Sequence, residues 1–169
     1  MNIFYLDEDP IEAANLHCIR HTKMILESAQ ILSTCVRMQF PDANVYRPTH
    51  KNHPCVKWVA DGRDNFIWLC DMSLHLCSLY RKRHNGISHK SELIIHCAKK
   101  HLPYLKFIYT NQTMAKQAMP DEYKNKNSVK AYLDYYINEK SKLFTDKDGN
   151  LLSILKEKFK DIQEDLYEN

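Results

Sequence analysis

The chain has 169 residues, 44% of them apolar and 27% charged, with a formal net charge of +3; that suits one globular domain and argues against a disordered tract. No run approaches the ~20 apolar residues a membrane helix needs, and Asp7, Glu8 and Asp9 stand where a secretory signal would be basic, so the expected setting is the cytoplasm of a bacterium or phage-infected host, with no membrane partner and the six cysteines reduced. Only Gly62, Gly86 and Gly149 are glycines, which disfavours tight hairpins and glycine-rich phosphate loops, because both need positive φ angles.

Residues 2–6 read as a short extended segment. Asp9 followed by Pro10 marks a helix start, an acid at the N-cap and proline in the first turn. Ile11, Ala14, Cys18, Ile25, Ala29, Leu32 and Val36 then keep helical spacing, predicting one helix to about Val36. Pro41 to Pro54 is a polar loop. A short helix runs from Pro54 to near Gly62. Asp64 opens another that ends before Gly86. Ser88 or Ser91 caps a helix through Lys100. Pro103 to Pro120 is irregular, and its length makes it a candidate functional loop. Ser128 caps a helix carrying Val129, Tyr132, Leu133 and Tyr136. Asp146 to Asn150 is a turn before a last helix with Leu151, Leu155, Phe159, Ile162 and Leu166. The expected fold is all-α: a compact single-domain helical bundle over residues 1–169 with a short extended N-terminal segment.

Charge is distributed unevenly. Residues 47–106 hold eleven Lys/Arg, four Asp/Glu and seven histidines, whereas residues 1–46 and 144–169 each sum to −3. A basic belt on a nearly neutral chain suits a polyanionic ligand such as DNA or a nucleotide. Tyr46-Arg47-Pro48-Thr49-His50-Lys51-Asn52-His53-Pro54 is its strongest segment, because Pro54 opens a helix whose free N–H groups and positive dipole end face this loop. Arg47, His50, Lys51 and His53 add donors for phosphate. Arg81-Lys82-Arg83-His84 and His89-Lys90 extend the belt, and Tyr123 and Lys124 follow the irregular loop, where Tyr135 could stack on a base.

The first predicted helix carries the second constellation. At 100° per residue Arg20, Lys23, Glu27 and Gln30 share a face, and His17, His21 and Ser28 lie beside the apolar stripe. Glu27 among basic groups suits a general base or a partner for a developing cation; the plain alternative is an i,i+4 pair with Lys23. His17 and His21, with Cys18, His50, His53 or Cys55, could also surround a metal, but no CxxC or HExxH frame is present. Neither a metal nor a cofactor is expected.

The order of these pieces resembles the small helical phage pyrimidine-dimer DNA glycosylases of the endonuclease V type. The resemblance rests on Ile3 to Leu6, then His17 to Glu27, Pro48-Thr49, Arg81 to Arg83, Pro120-Asp121-Glu122-Tyr123-Lys124 and Tyr132 to Tyr136. It implies cleavage of an N-glycosidic bond by an N-terminal α-amine through a Schiff base. A helix-borne glutamate, here Glu27, would support the cationic intermediate, and β-elimination could then cut the strand. The amine would be that of Met1, since methionine before Asn2 is retained, where the family exposes a small residue.

Residues and resemblance together predict an enzyme acting on DNA or a nucleotide. Glu27 is its acid/base or cation stabiliser, His17 and His21 are its partners, and Met1 is its nucleophile. Lys23, Arg47, His50, Lys51, His53, Lys90, Tyr123 and Lys124 bind phosphate or nucleic acid. Two other classes fit the same residues, a non-catalytic nucleotide or nucleic-acid binder and a metal-dependent hydrolase.

Overall fold

The computed structural model describes residues 1–17, 22–140, 157 and 160. Among them six α-helices and no β-strand are present: α1 (Pro10–Leu16), α2 (Lys23–Gln39), α3 (Pro54–Asp61), α4 (Arg63–Arg83), α5 (Glu92–Lys100) and α6 (Ser128–Glu139). The all-α expectation holds. Cys18, Arg20, His21, the Asp146–Asn150 turn and the apolar positions of the last predicted helix lie outside the described residues.

α2 is the central element, packing against α3, α4 and α5, while α1 packs on α4. Its buried face combines Met24, Ile25, Ala29, Ile31, Leu32 and Val36 with three small polar residues, Ser28, Ser33 and Thr34. The single helix predicted from Pro10 to Val36 is two. α1 stops at Leu16, and His17 takes an extended conformation (φ −67°, ψ 139°). The break lets α1 and α2 bury separate apolar faces. It also removes the register argument that put His17 on one face with Ser28.

Local chemistry explains most boundaries. Asp9 caps α1, its Oδ1 accepting from the N–H groups of Ile11 (2.7 Å) and Glu12 (3.1 Å). α3 begins at Pro54, and His53 is its N-cap, with Nδ1 accepting from Cys55 N–H at 3.2 Å. The predicted cap at Ser128 falls one residue earlier: Asn127 accepts from Lys130 N–H at 3.0 Å, while Ser128 Oγ donates to Ala115 O. Ser91 precedes α5 without capping it by its side chain.

Residues 2–6 are buried, form no strand, and depart from an extended path at Phe4. Ile3 and Leu6 are fully enclosed, and Phe4 has a φ of +41°, a left-handed conformation that strains a bulky residue. Phe4 meets Tyr135 and Tyr136 with ring centroids 5.9 and 4.9 Å apart. Tyr5 sits between Trp58 (5.8 Å) and Trp68 (4.6 Å). The segment is thus a core strap, and its burial fixes where the chain start lies.

Asn65 clips the irregular 103–120 segment onto this core. Its Nδ2 donates to Trp58 O and Thr113 Oγ1, both at 2.8 Å, and its Oδ1 accepts from Thr113 N–H at 2.9 Å. The turn between α3 and α4 must leave room for it, since a Cβ on Gly62 would lie 2.3 Å from Asn65 Nδ2. Asn65→Ala takes this partner from the buried Trp58 carbonyl and from two half-buried groups of Thr113 and is expected to cost about 2–3 kcal/mol. Gly62→Ala displaces the same side chain and lowers stability in the same direction. Denaturant unfolding of both variants measures this.

Candidate active site around Glu27

Glu27 lies one turn into α2, almost enclosed, with 8% of the residue exposed. Its Oε2 accepts from Asn2 N–H at 2.9 Å and lies 3.9 Å from the Met1 amino nitrogen. Oε1 lies 3.4 Å from Lys23 Nζ, one turn back on the same helix. The Lys23 side chain is mostly exposed, so this pair contributes little to stability. The carboxylate therefore joins the chain start to the first turn of α2.

Asn2 sets the position of the amine. Its Oδ1 accepts from Ile3 N–H (2.7 Å) and Phe4 N–H (3.0 Å), and its Nδ2 donates to Ala118 O at 2.9 Å. Ala118 N–H donates to the Tyr132 hydroxyl at 3.3 Å, and that hydroxyl donates to Lys116 O at 2.6 Å. The 116–118 segment thus lies between Asn2 and Tyr132. Neither Asn2 nor Ala118 stood out in the sequence. A lone asparagine beside the chain start has no spacing to flag it, and a backbone carbonyl leaves no residue signature.

The basic loop is seated on the side of α2. Tyr46 N–H donates to Ser33 Oγ (3.2 Å), and Thr49 N–H to Thr34 Oγ1 (3.0 Å). The single proton of Thr34 Oγ1 faces two carbonyls, Gln30 O at 2.8 Å and Thr49 O at 3.2 Å. Ser33 and Thr34 are six and seven residues beyond Glu27, about 10 Å along the helix. The loop then turns back: His50 has a φ of +49°, its Nδ1 lies 2.6 Å from Thr49 Oγ1, and its carbonyl accepts from His53 N–H at 2.8 Å. Small polar residues inside the apolar stripe of α2 were the available signal for this seat. Arg47, His50 and Lys51 remain exposed on the outer side of the strip.

His53 is where the two constellations meet. Burial first, then the Met1 amine and His50, push its pKa below 6.5, and Glu27 opposes them. Its Nδ1 already accepts a backbone N–H, which leaves the ring proton on Nε2. His53 thus serves near neutral pH as an uncharged donor, unlike the cationic phosphate ligand its loop suggests. Because its folded pKa lies below the unfolded value, its contribution to stability is present above about pH 6.5 and lost as pH falls. Proton NMR should find the His53 imidazole titrating below the ordinary histidine range.

The remaining predicted residues separate into groups. His17 is buried at the edges of Phe4 (6.2 Å) and Tyr136 (5.6 Å). Lys90 lies beyond the far end of the strip, next to Ser91, whose Oγ is 3.0 Å from the Tyr46 hydroxyl. Tyr123 and Lys124 have partners of their own. The Tyr123 hydroxyl donates to Glu139 at 2.8 Å, and that contact raises its pKa to about 12. Lys124 pairs with Asp121 and borders a cavity of about 890 Å³ also lined by Tyr5, Gln112, Lys126 and Ser128. Glu27, His50 and His53 do not line that cavity.

Burial raises the thiol pKa of Cys55 to about 11 and that of Cys77 to about 12, which makes both poor nucleophiles and poor metal ligands near neutral pH. Among the described residues no three His, Cys, Asp or Glu side chains are grouped to hold a metal ion, and no helix is long and apolar enough to cross a membrane. Comparison with protein-family models, curated proteins and solved structures finds no significant match to this chain.

Proposed function

We propose that this chain cleaves an N-glycosidic bond in a nucleic acid or nucleotide, with Glu27 and the Met1 amine at the reacting centre. The observation that carries this reading is the enclosed Glu27 carboxylate, held by Asn2 N–H at 2.9 Å with the amine at 3.9 Å. A carboxylate there can take a proton from the ammonium, which frees the nitrogen lone pair. The nitrogen then bonds to the sugar C1′ as the bond from C1′ to the base breaks. The base leaves with the bonding pair and takes up a proton. Opening of the sugar ring gives the imine, whose positive charge the ionised Glu27 offsets. Water then releases the sugar and restores the amine, or loss of the C2′ proton expels the 3′ phosphate.

The strip from Tyr46 to His53 supports a phosphate-bearing substrate. Arg47, His50 and Lys51 are exposed along it, and its inner end reaches the electrostatic range of Glu27 and Met1. Extrusion of the target nucleotide would be required in a duplex. The test is binding of the purified protein to duplex DNA, single-stranded DNA and free nucleotides over a range of salt. Arg47→Ala and Lys51→Ala should each weaken polymer binding and reduce the salt slope by about one. Salt-insensitive binding, or binding confined to a free nucleotide, would remove the polymer from the proposal.

A further inference from the structure

The cavity of about 890 Å³ beside Tyr5 has no part in the cleavage proposed above, and Glu27 is not on its wall. Its size is that of sites that hold small organic ligands, roughly 300–1,000 Å³. Three stretches of chain enclose it: Tyr5 and Glu8 from the N-terminal strap, residues 112–115, and residues 124–129 leading into α6.

These walls are tied to one another. Gln112 Nε2 donates to the Tyr5 hydroxyl at 2.7 Å, and Asn65 holds Thr113 on both its backbone N–H and its hydroxyl. Asn125 N–H donates to Gln117 Oε1 at 2.9 Å, and Asn127 N–H to Asn125 Oδ1 at 3.0 Å. Ser128 Oγ donates to Ala115 O at 2.9 Å, which joins the start of α6 to the second wall. A site built in advance loses little conformational freedom when its ligand arrives.

The polar groups on the walls differ in kind. Glu8 is exposed. Burial first, then Glu8 and Asp7, raise the pKa of the Tyr5 hydroxyl, so Tyr5 keeps its proton. That oxygen accepts from Gln112, which leaves the proton for a ligand. A carboxylate acceptor beside a hydroxyl donor matches the edge of a nucleobase, where an N–H group stands next to a ring nitrogen or carbonyl. The other side carries cations: Lys126 is exposed, and Lys124 is paired with Asp121. Ammonium groups of this sort serve phosphate as point charges. Met114, 66% exposed, offers a thioether to the face of a flat ring. A simple anion has no use for Glu8, and an α-amino acid would meet both charges while leaving most of the volume empty.

We infer that this cavity binds a free nucleoside 5′-monophosphate, with its base edge on Glu8 and Tyr5, its ring against Met114 and its phosphate on Lys126 and Lys124. The site is separate from the Glu27 centre and does not rest on the cleavage proposed there.

The test is calorimetric titration of the full chain with each of the common ribonucleoside 5′-monophosphates. At least one should bind, and its parent nucleoside and inorganic phosphate should each bind about tenfold more weakly or worse. Lys126→Ala and Glu8→Ala, both changes at exposed positions, should each weaken nucleotide binding about tenfold, the scale of one hydrogen bond to a charged group. Thermal unfolding of both variants should match wild type. Glu27→Gln should bind the nucleotide as wild type does. Failure of every monophosphate to bind overturns the inference, and so does inorganic phosphate binding as tightly as the nucleotide. Binding that depends on Glu27 but on neither Lys126 nor Glu8 puts the nucleotide at the other centre; it overturns the second site and leaves cleavage standing. A single-stranded oligonucleotide that expels the nucleotide, and whose own binding falls with Lys126→Ala, gives the cavity to a polymer and also overturns the inference. Nucleotide binding with the expected variant pattern, in a protein that releases no base from any substrate, sinks the cleavage reading and keeps the cavity site.

Discussion

Glu27→Gln should lower the rate of base release by about 10²–10⁴-fold, the usual contribution of a positioned acid/base. The amide oxygen can still accept the Asn2 N–H that Oε2 now accepts at 2.9 Å, so the chain start keeps its place. What is lost is the charge opposite Met1 and Lys23. The loss should therefore fall on kcat, with little change in KM or in the salt dependence of binding. A substitution that leaves kcat unaltered while stability shifts would make Glu27 a structural anchor. Measuring steady-state kinetics and denaturant unfolding on the same preparation separates the two.

The second large effect concerns the amine. Extending the chain by one residue before Met1 turns that nitrogen into an amide, which has no basic lone pair. Base release through the imine should fall by about 10³-fold or more, as when a nucleophile is removed. Borohydride, which reduces an imine to a stable amine, should trap a sugar adduct on Met1 in the unextended protein and none in the extended one. Proteolytic trimming back to Met1 should restore both, which distinguishes loss of the nucleophile from disturbance of the strap at residues 2–6. Full activity in the extended protein would hand the attack to water, with Glu27 activating it.

How far the sequence reveals this site depends on the type of signal. Helix starts marked by side-chain chemistry were legible: Asp9-Pro10 and Pro54 open α1 and α3. The apolar stripe predicted burial of α2, but it could not reveal the break after Leu16, because helical spacing continues across residues 17–22 and no proline or glycine interrupts it. The backbone of residues 2–6 is a similar case. A short apolar run says that a segment is buried and leaves its backbone open, and Phe4 took a left-handed conformation. Glu27 and the 46–53 loop were both visible as local patterns. Their convergence was not, since it depends on Ser33 and Thr34 seating the loop and on Asn2 holding the chain start against Ala118. Such contacts join residues 13 to 116 positions apart, beyond the reach of any periodicity.

Tyr123 and Lys124 mark a limit of motif reading. Their string matched the resemblance, yet their polar groups are engaged with Glu139 and Asp121. If the string contributes to function, Tyr123 does so through its ring, which meets Tyr135 at 5.3 Å. Tyr135 also stacks on Phe4 in the strap that carries Met1.

The measurement that tests the central claim most directly is mass spectrometry of the products formed when wild type and Glu27→Gln are incubated with duplex DNA carrying pyrimidine dimers, duplex DNA carrying other altered bases, and free nucleotides. The account predicts a free base, or for a dimer a severed glycosidic bond, with wild type and its near disappearance with Glu27→Gln. Substrates recovered intact from wild type despite tight, salt-sensitive binding would contradict it and leave a nucleic-acid binder whose buried carboxylate only fastens the chain start.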